Sequence, residues 1–280
     1  MAPTFDTLRL EVSGAVGELV LDRPERLNAL GATTLRELAA AAQWFDDHDE
    51  VRVVVVRGEG RAFCAGADLH DMPLAGARSD APWHVRREIG QLGLRMTDAI
   101  EGMRAVTVAQ VHGHAVGGGL LVMLACDLRV VADDASFHIP EVDLGIPLAW
   151  GGIPRLVREV GPAVTKELVM TCRRFTPDEA HRLGMVNRVV SPDRLDAEVD
   201  ALAAELADKP SVPVIVTKEH VNAVSQAMAA GRTSFADGDA LLSAAFDPAS
   251  TDAAQRYVER VFGSDAAGTD DDSADGGRSG

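Results

Sequence analysis

Short segments rich in β-branched residues alternate with segments of helical periodicity along the first half of this chain. Residues 51–56 are VRVVVV and residues 106–111 are VTVAQV, and both are nearly continuous apolar runs of strand length. Such runs are typical of strands that are covered on both faces. Helical patterns occupy residues 34–45 and 83–103. This order implies right-handed crossovers and an α/β fold in which helices pack against a sheet.

The remaining segments extend this pattern in both directions. Residues 7–21 alternate apolar and polar side chains around a Ser-Gly pair, which predicts a β-hairpin, and a helix over 118–126 followed by a strand over 128–132 is predicted after the second buried run. Beyond Pro154 the predicted elements are all helices, over 156–160, 164–171, 177–183, 193–207, 212–229 and 235–245. No linker-like segment precedes these helices, so we expect them to complete the core or to pack against other subunits.

Composition narrows the classes of partner. The chain has 280 residues, of which 46% are hydrophobic and 25% charged, and its net charge is −16 with no segregated basic face. We therefore expect no nucleic-acid partner and no membrane partner. Residues 263–280 contain five Asp and one Arg but no large apolar side chain. This composition predicts a disordered acidic tail after a domain at 1–262, whose helical C-terminal part starts at about 195.

The cysteines and the first residues indicate the compartment. Cys64, Cys126 and Cys172 are odd in number and form no C-x-x-C pair, which argues against a disulfide framework and against structural zinc. The first residues lack a basic segment followed by an apolar one, and no apolar run reaches membrane-spanning length. A cytoplasmic protein is predicted.

Two glycine-containing segments follow the buried strands. They are RAFCAGADL at 61–69 and HGHAVGGG at 112–119. Small residues at the carboxyl end of a strand let the backbone approach a ligand, and free N–H groups at a helix start attract negative charge. Neither segment matches a phosphate-binding fingerprint, which argues against nucleotide hydrolysis and dinucleotide binding. The alternative is that both are tight turns packed against the sheet.

With three later stretches, these segments resemble the enoyl-CoA hydratase/isomerase (crotonase) superfamily. The stretches that carry the resemblance are AFCAGADL, GHAVGGGLLVMLACDLRV, ASFHIPEVDLGIPLAWGG, GPAVTKELVMT and FTPDEAHRLGMVNRVV. The resemblance implies a spiral of ββα units with a helical C-terminal region, and an acyl-CoA thioester as substrate. It also implies a homotrimer or a dimer of trimers, with no metal and no cofactor beyond the CoA moiety of the substrate.

The resemblance assigns two backbone donors to the thioester oxygen, the N–H groups of Ala67 and Gly118. A thioester that is deprotonated at its α-carbon carries negative charge on the carbonyl oxygen. Two preorganised donors, one of them at a helix N-terminus, stabilise that enolate.

The resemblance also assigns the acid/base group. Hydratases of the family carry two glutamates, of which one matches Glu141, but the position of the other is occupied here by Leu121. A single carboxylate suffices for family members that shift a double bond, because it takes a proton from C2 and returns it at C4. We therefore expect isomerisation of an enoyl-CoA by Glu141. The alternatives are hydration of a 2-enoyl-CoA in fatty acid oxidation and non-catalytic acyl-CoA binding.

Other residues near these motifs complete the predicted site. The resemblance places substrate and CoA contacts at Arg26, Leu27, Ala65, Asp68, Leu69, Pro140 and Trp150. Asp68 has the alternative role of a helix cap, and Glu141 that of a solvated loop carboxylate. Further candidates for assisting Glu141 or lining the pocket are Asp143, His70, His112, His114 and His138. Cys64 has no partner base in its motif and is interpreted as a packing residue.

Overall fold

The computed structural model describes residues 3–69, 71, 81–228 and 233–262. The predicted acidic tail at 263–280 and the candidate His70 lie outside the described residues. The tail and the boundaries of the domain therefore stay predictions.

A parallel sheet with one antiparallel edge strand forms the centre of the fold. The predicted hairpin is present, and Gly14 turns it with a φ of 60°. From β2 onward, neighbouring strands of this sheet are parallel. Among the described residues, the sheet contains, in spatial order, β1 (Leu8–Ser13), β2 (Val16–Leu21), β3 (Val53–Gly58), β4 (Val106–Val111), β6 (Leu128–Ala132) and β8 (Arg188–Val190). The expectation of an α/β fold is confirmed.

Helices cover the sheet and make up most of the second half of the chain. They are α1 (Ala32–Asp46), α2 (Trp83–Gly90), α3 (Leu92–Gly102), α4 (Gly118–Ala125), α5 (Gly152–Thr171), α6 (Pro177–Arg182), α7 (Leu195–Asp208), α8 (Ser211–Met228), α9 (Asp237–Phe246) and α10 (Pro248–Phe262). The prediction of one helix over 83–103 was wrong, because the chain turns at Gln91 and forms two. The predicted break near 161 is present within α5, where Gly161 is non-helical. Periodicity did not identify α10 or the three-residue strand β8.

Both faces of the sheet are buried, which explains the β-branched run in β3. Val54 and Val56 point into the larger hydrophobic core, whereas Val53 and Val55 lie in a smaller core beneath α7. Each residue of the run therefore removes apolar surface from water on one side or the other.

A second ladder of short strand pairings lies outside the main sheet. It includes the parallel pair β5 (His114–Val116) and β7 (Ser136–His138). Isolated bridges extend it from Leu30 to Ala67, from Cys64 to Ala115 and from Phe137 to Phe175. Strands β4 and β6 are each followed by a short strand of this ladder and then by a helix. This is the ββα repeat that was expected, and it brings the two glycine segments side by side.

Candidate active site

The two glycine segments lie against each other through backbone contacts. The Val116 N–H donates to the Cys64 carbonyl at 3.1 Å. A methyl group on Gly66, whose φ is 93°, would lie 2.5 Å from the Val116 carbonyl oxygen and 3.6 Å from the Gly118 nitrogen. Any side chain at Gly66 would therefore separate the segments, and the left-handed φ independently favours glycine.

The two N–H groups that the sequence singled out are free of backbone partners. Gly66 and Asp68 both pair with Leu30, through hydrogen bonds of 2.8 and 3.1 Å, and Ala67 stands between them. Gly118 is the first residue of α4. Within the described part of the chain, the N–H groups of Ala67 and Gly118 donate to no backbone carbonyl. For Gly118 this is the usual state of a first-turn N–H group of a helix.

Glu141 lies against Gly117, the residue that precedes the second of these donors. It follows β7 in a turn held by two hydrogen bonds, from Leu144 N–H to the Pro140 carbonyl at 3.0 Å and from Ile146 N–H to the Glu141 carbonyl at 2.9 Å. A methyl group on Gly117 would lie 2.5 Å from the Glu141 Oε1. The Glu141 carboxylate is therefore in close contact with Gly117, and a side chain at that position would displace it.

The carboxyl group of Glu141 is held in an apolar environment. Its Oε2 is buried and accepts no hydrogen bond from the described residues. Burial raises the pKa of Glu141 from its ordinary value of 4.5 to about 7, and a hydrogen bond from its own backbone opposes this only in part. The alternative of a solvated loop carboxylate does not fit this burial. A carboxyl group with a pKa near neutrality can both accept and release a proton at physiological pH.

Leu121 contributes apolar packing beside the site. It is 2% exposed and belongs to the larger hydrophobic core. A methyl group on Gly152 would lie 2.9 Å from the Leu121 Cδ2, so its side chain packs against the start of α5.

Trp150 forms a wall of the site next to Gly118. It is 8% exposed, and a methyl group on Gly118 would lie 2.3 Å from its Cζ3. Its φ is 57°, a left-handed value that is rare for a bulky residue. The sequence pointed to Trp150 as apolar lining, but it gave no sign of this backbone conformation.

The remaining predicted contacts lie around the two glycine segments. Leu27 has a left-handed φ of 50°, and its carbonyl accepts from the Ala65 N–H at 2.9 Å. Arg26 is exposed at the end of a short 3₁₀ helix and makes no ion pair with the described residues. Leu69 is half-buried and Pro140 is buried. Their contacts with a substrate stay predictions.

Asp68 forms an ion pair with another residue of the chain. It is buried, and its Oδ2 accepts from both terminal nitrogens of Arg23 at 3.2 Å. Sequence reasoning did not consider Arg23. The Arg23 guanidinium compensates the negative charge of Asp68 close to where an anionic ligand would bind.

Two further candidates, Asp143 and Cys64, interact with other residues of the chain. Asp143 is exposed and pairs with Arg260 at 3.3 Å. The Cys64 thiol donates to the Asn28 carbonyl, and burial raises its pKa to about 12, which fits packing and not nucleophilic attack.

Three histidines bond to neighbouring oxygens. They are His112 with the Gly60 carbonyl, His114 with the Ser136 hydroxyl, and His138 with the Cys172 carbonyl. In the ranges that the structure describes, no group of three or more His, Cys, Asp or Glu side chains could hold a metal ion. No described helix is long and apolar enough to cross a bilayer.

Known proteins resemble this chain over most of its length. A family model described as enoyl-CoA hydratase/isomerase matches residues 11–262. A crotonyl-CoA hydratase of Syntrophomonas wolfei is 36% identical over 219 residues, covering 78% of this chain and 82% of that protein. A peroxisomal Delta(3,5)-Delta(2,4)-dienoyl-CoA isomerase of Arabidopsis thaliana is 34% identical over 223 residues, covering 77% of this chain and 80% of that protein.

Solved structures agree with the sequence comparisons. The crystal structure of an enoyl-CoA hydratase subunit I from Geobacillus kaustophilus is 36% identical and has a TM-score of 0.73, covering 86% of this chain and 89% of that one. The family match spans the glycine segments, Glu141 and the C-terminal helices together. The chain belongs to the enoyl-CoA hydratase/isomerase family of enzymes and has the crotonase fold.

Proposed function

We propose that the protein moves a proton on an enoyl-CoA thioester, with Glu141 as its acid/base group. The observation that carries the proposal is the position of the Glu141 carboxyl group, buried against Gly117 and next to Gly118, whose N–H has no backbone partner among the described residues. A thioester whose carbonyl oxygen accepts from Ala67 and Gly118 presents its α-carbon beside this group. The enolate that forms on proton removal is then stabilised by the same two donors.

The first candidate reaction is a shift of the double bond from the 3 to the 2 position. Glu141 removes a proton from C2, the electron pair moves so that the double bond forms between C2 and C3, and the proton returns at C4. One carboxyl group performs both transfers. Leu121 supports this candidate, because an aliphatic side chain stands where the family's hydratases carry their second glutamate.

The second candidate is hydration of a 2-enoyl-CoA. The relatives' names support it better than isomerisation, since the crotonyl-CoA hydratase is the more similar of the two relatives described above. In this reaction Glu141 takes a proton from water as the oxygen bonds to C3, and C2 is then protonated. Because Leu121 replaces the second glutamate, Glu141 has to carry out both proton transfers.

One assay separates the two candidates. Purified protein is given 3-enoyl-CoA and 2-enoyl-CoA of equal chain length, and the products are identified by chromatography. Conversion of the 3-enoyl ester to the 2-enoyl ester supports isomerisation, whereas 3-hydroxyacyl-CoA formed from the 2-enoyl ester without isomerisation of the other supports hydration. Tight binding without turnover of either ester would instead support a non-catalytic binder.

We also propose that the protein assembles as a homotrimer or a dimer of trimers. Helix α8 supports an assembly, because it has no buried residue in the described chain and exposes several apolar side chains. These are Val212, Val216, Val221, Val224 and Met228. Light scattering coupled to size exclusion is the test, and a monomeric mass would contradict the proposal.

A further inference from the structure

The indole of Trp150 fills the space between two helix starts. A methyl group on Gly93, near the start of α3, would lie 2.0 Å from the ring, and one on Gly118, at the start of α4, would lie 2.3 Å from it. Both distances are far inside van der Waals contact. The ring therefore packs tightly against Gly93 on α3 and against Gly118 on α4.

The ring also lies close to the residues that the proposed function assigns to the thioester. Gly117 faces the Glu141 carboxyl group and Gly118 faces the indole, and these glycines are neighbours in sequence. In the proposed binding mode, the carbonyl oxygen is at Gly118 and C2 is near Glu141, so the indole beside Gly118 is within reach of the carbons that follow. Bulk at this position consequently limits how far the acyl group can extend towards α3.

Polar contacts from two helices hold the turn that carries this indole. The Thr97 hydroxyl, on α3, donates to the Trp150 carbonyl at 2.9 Å. The Gly151 N–H donates to the Asp237 carboxylate, at the start of α9, at 2.8 Å. Trp150 and Gly151 both have left-handed φ values, of 57° and 68°. A bulky residue keeps such a conformation only where its surroundings impose it.

A buried arginine contributes a third contact. Arg155, on α5, is 3% exposed and donates to the Gly151 carbonyl at 3.3 Å. It is itself held by Asp98 at 3.0 Å and by Glu101. The turn is therefore fixed from three sides, which keeps the indole in one place.

We propose that Trp150 is the residue that limits the size of the acyl group, with Thr97, Arg155 and Asp237 as its positioning residues. This proposal rests on the proposed function, because it requires that the site takes an acyl-CoA. Truncation of the indole opens room towards Gly93 and α3 for a longer chain.

The test measures binding of saturated acyl-CoA esters of increasing chain length, so that it does not depend on turnover. We expect the wild type to reach a limiting length beyond which affinity falls. Trp150→Phe should move that limit slightly, and Trp150→Leu by two or more carbons, with about tenfold or more gain for the first ester beyond the wild-type limit. Trp44→Leu is the matched control, since this indole on α1 packs edge-to-face against Phe45 and lies against the ring of His48. An unchanged limit in Trp150→Leu overturns the proposal.

Asp237 provides a test that leaves the indole in place. Asp237→Ala removes the acceptor of the Gly151 N–H and should shift the length profile in the same direction as Trp150→Phe, whereas Asp237→Asn keeps an acceptor and should restore the wild-type profile. A lower melting temperature in Asp237→Ala with an unchanged profile would show that Asp237 is only structural. Failure of the proposed function appears separately, as absence of product with the wild type on either enoyl ester.

Discussion

Replacement of Glu141 by Gln tests the chemistry and the electrostatics of the site in one variant. The carboxyl group becomes a neutral amide of nearly the same shape, so it can no longer accept a proton from C2 or from water. General acid–base groups contribute about 10²-fold to 10⁴-fold. We expect kcat to fall by at least about 100-fold, with little change in acyl-CoA binding, because the oxyanion donors are backbone groups.

The same variant should be more stable than the wild type above neutral pH. Burial raises the pKa of Glu141 from 4.5 to about 7, which at about 1.4 kcal/mol per unit corresponds to about 3 kcal/mol. The folded state therefore binds more protons than the unfolded state between pH 4.5 and 7, and its stability falls as pH rises through that window. Below pH 4.5 the acid is neutral in both states and no penalty remains.

Urea unfolding of both proteins at several pH values measures this difference. The free energy of unfolding of Glu141→Gln minus that of the wild type should be near zero at low pH and should rise to about 3 kcal/mol by pH 8. Other carboxyl groups cancel in the difference. Glu219→Gln, on the exposed face of α8, serves as the matched control and should stay within about 0.5 kcal/mol at every pH. A difference that does not vary with pH would refute the argument that burial destabilises the charged form of Glu141.

Substitutions at three further positions test the site and the core behind it. Gly118→Ala places a methyl group 2.3 Å from the indole and should lower kcat/KM by about 10²-fold to 10³-fold, as loss of an oxyanion donor does, and steady-state kinetics measures it. Leu121→Glu puts a carboxyl group into the core and should lower the melting temperature, whereas Leu121→Met should cost less than about 1.5 kcal/mol. Arg129→Met removes the partner of Glu159 and of several carbonyls and should destabilise by about 3 to 5 kcal/mol in urea unfolding.

Local patterns in the sequence were enough to predict much of the fold. The β-branched run at 51–56 indicated a strand buried on both faces. Strand β3 has a hydrophobic core on each side, with Val54 and Val56 in one and Val53 and Val55 in the other. The alternation of strand and helix segments predicted the α/β fold with helices packed against a sheet. Short elements such as β8 have too few residues for a period to show, and the pairing of Val130 with Arg188 across the chain decides that strand.

For the site, the sequence pointed to the candidate groups, and the resemblance assigned their roles. Glu141, Ala67 and Gly118 stand in short motifs, so a linear pattern suffices to point to them. What the sequence could not give is how closely they approach one another. That depends on the ladder that joins Cys64 to Ala115 and places Gly66 against Val116.

Only the tertiary structure decided the environment of these groups. The raised pKa of Glu141 comes from apolar atoms brought around it by several elements, which no local pattern reports. The left-handed turn at Trp150 is held by Thr97 and Asp237, which stand far from it in sequence. Residue types and local spacing therefore fixed what chemistry is available. Burial and long-range contacts, which exist only once the chain is folded, decided how the Glu141 carboxyl group is surrounded and where the indole of Trp150 lies.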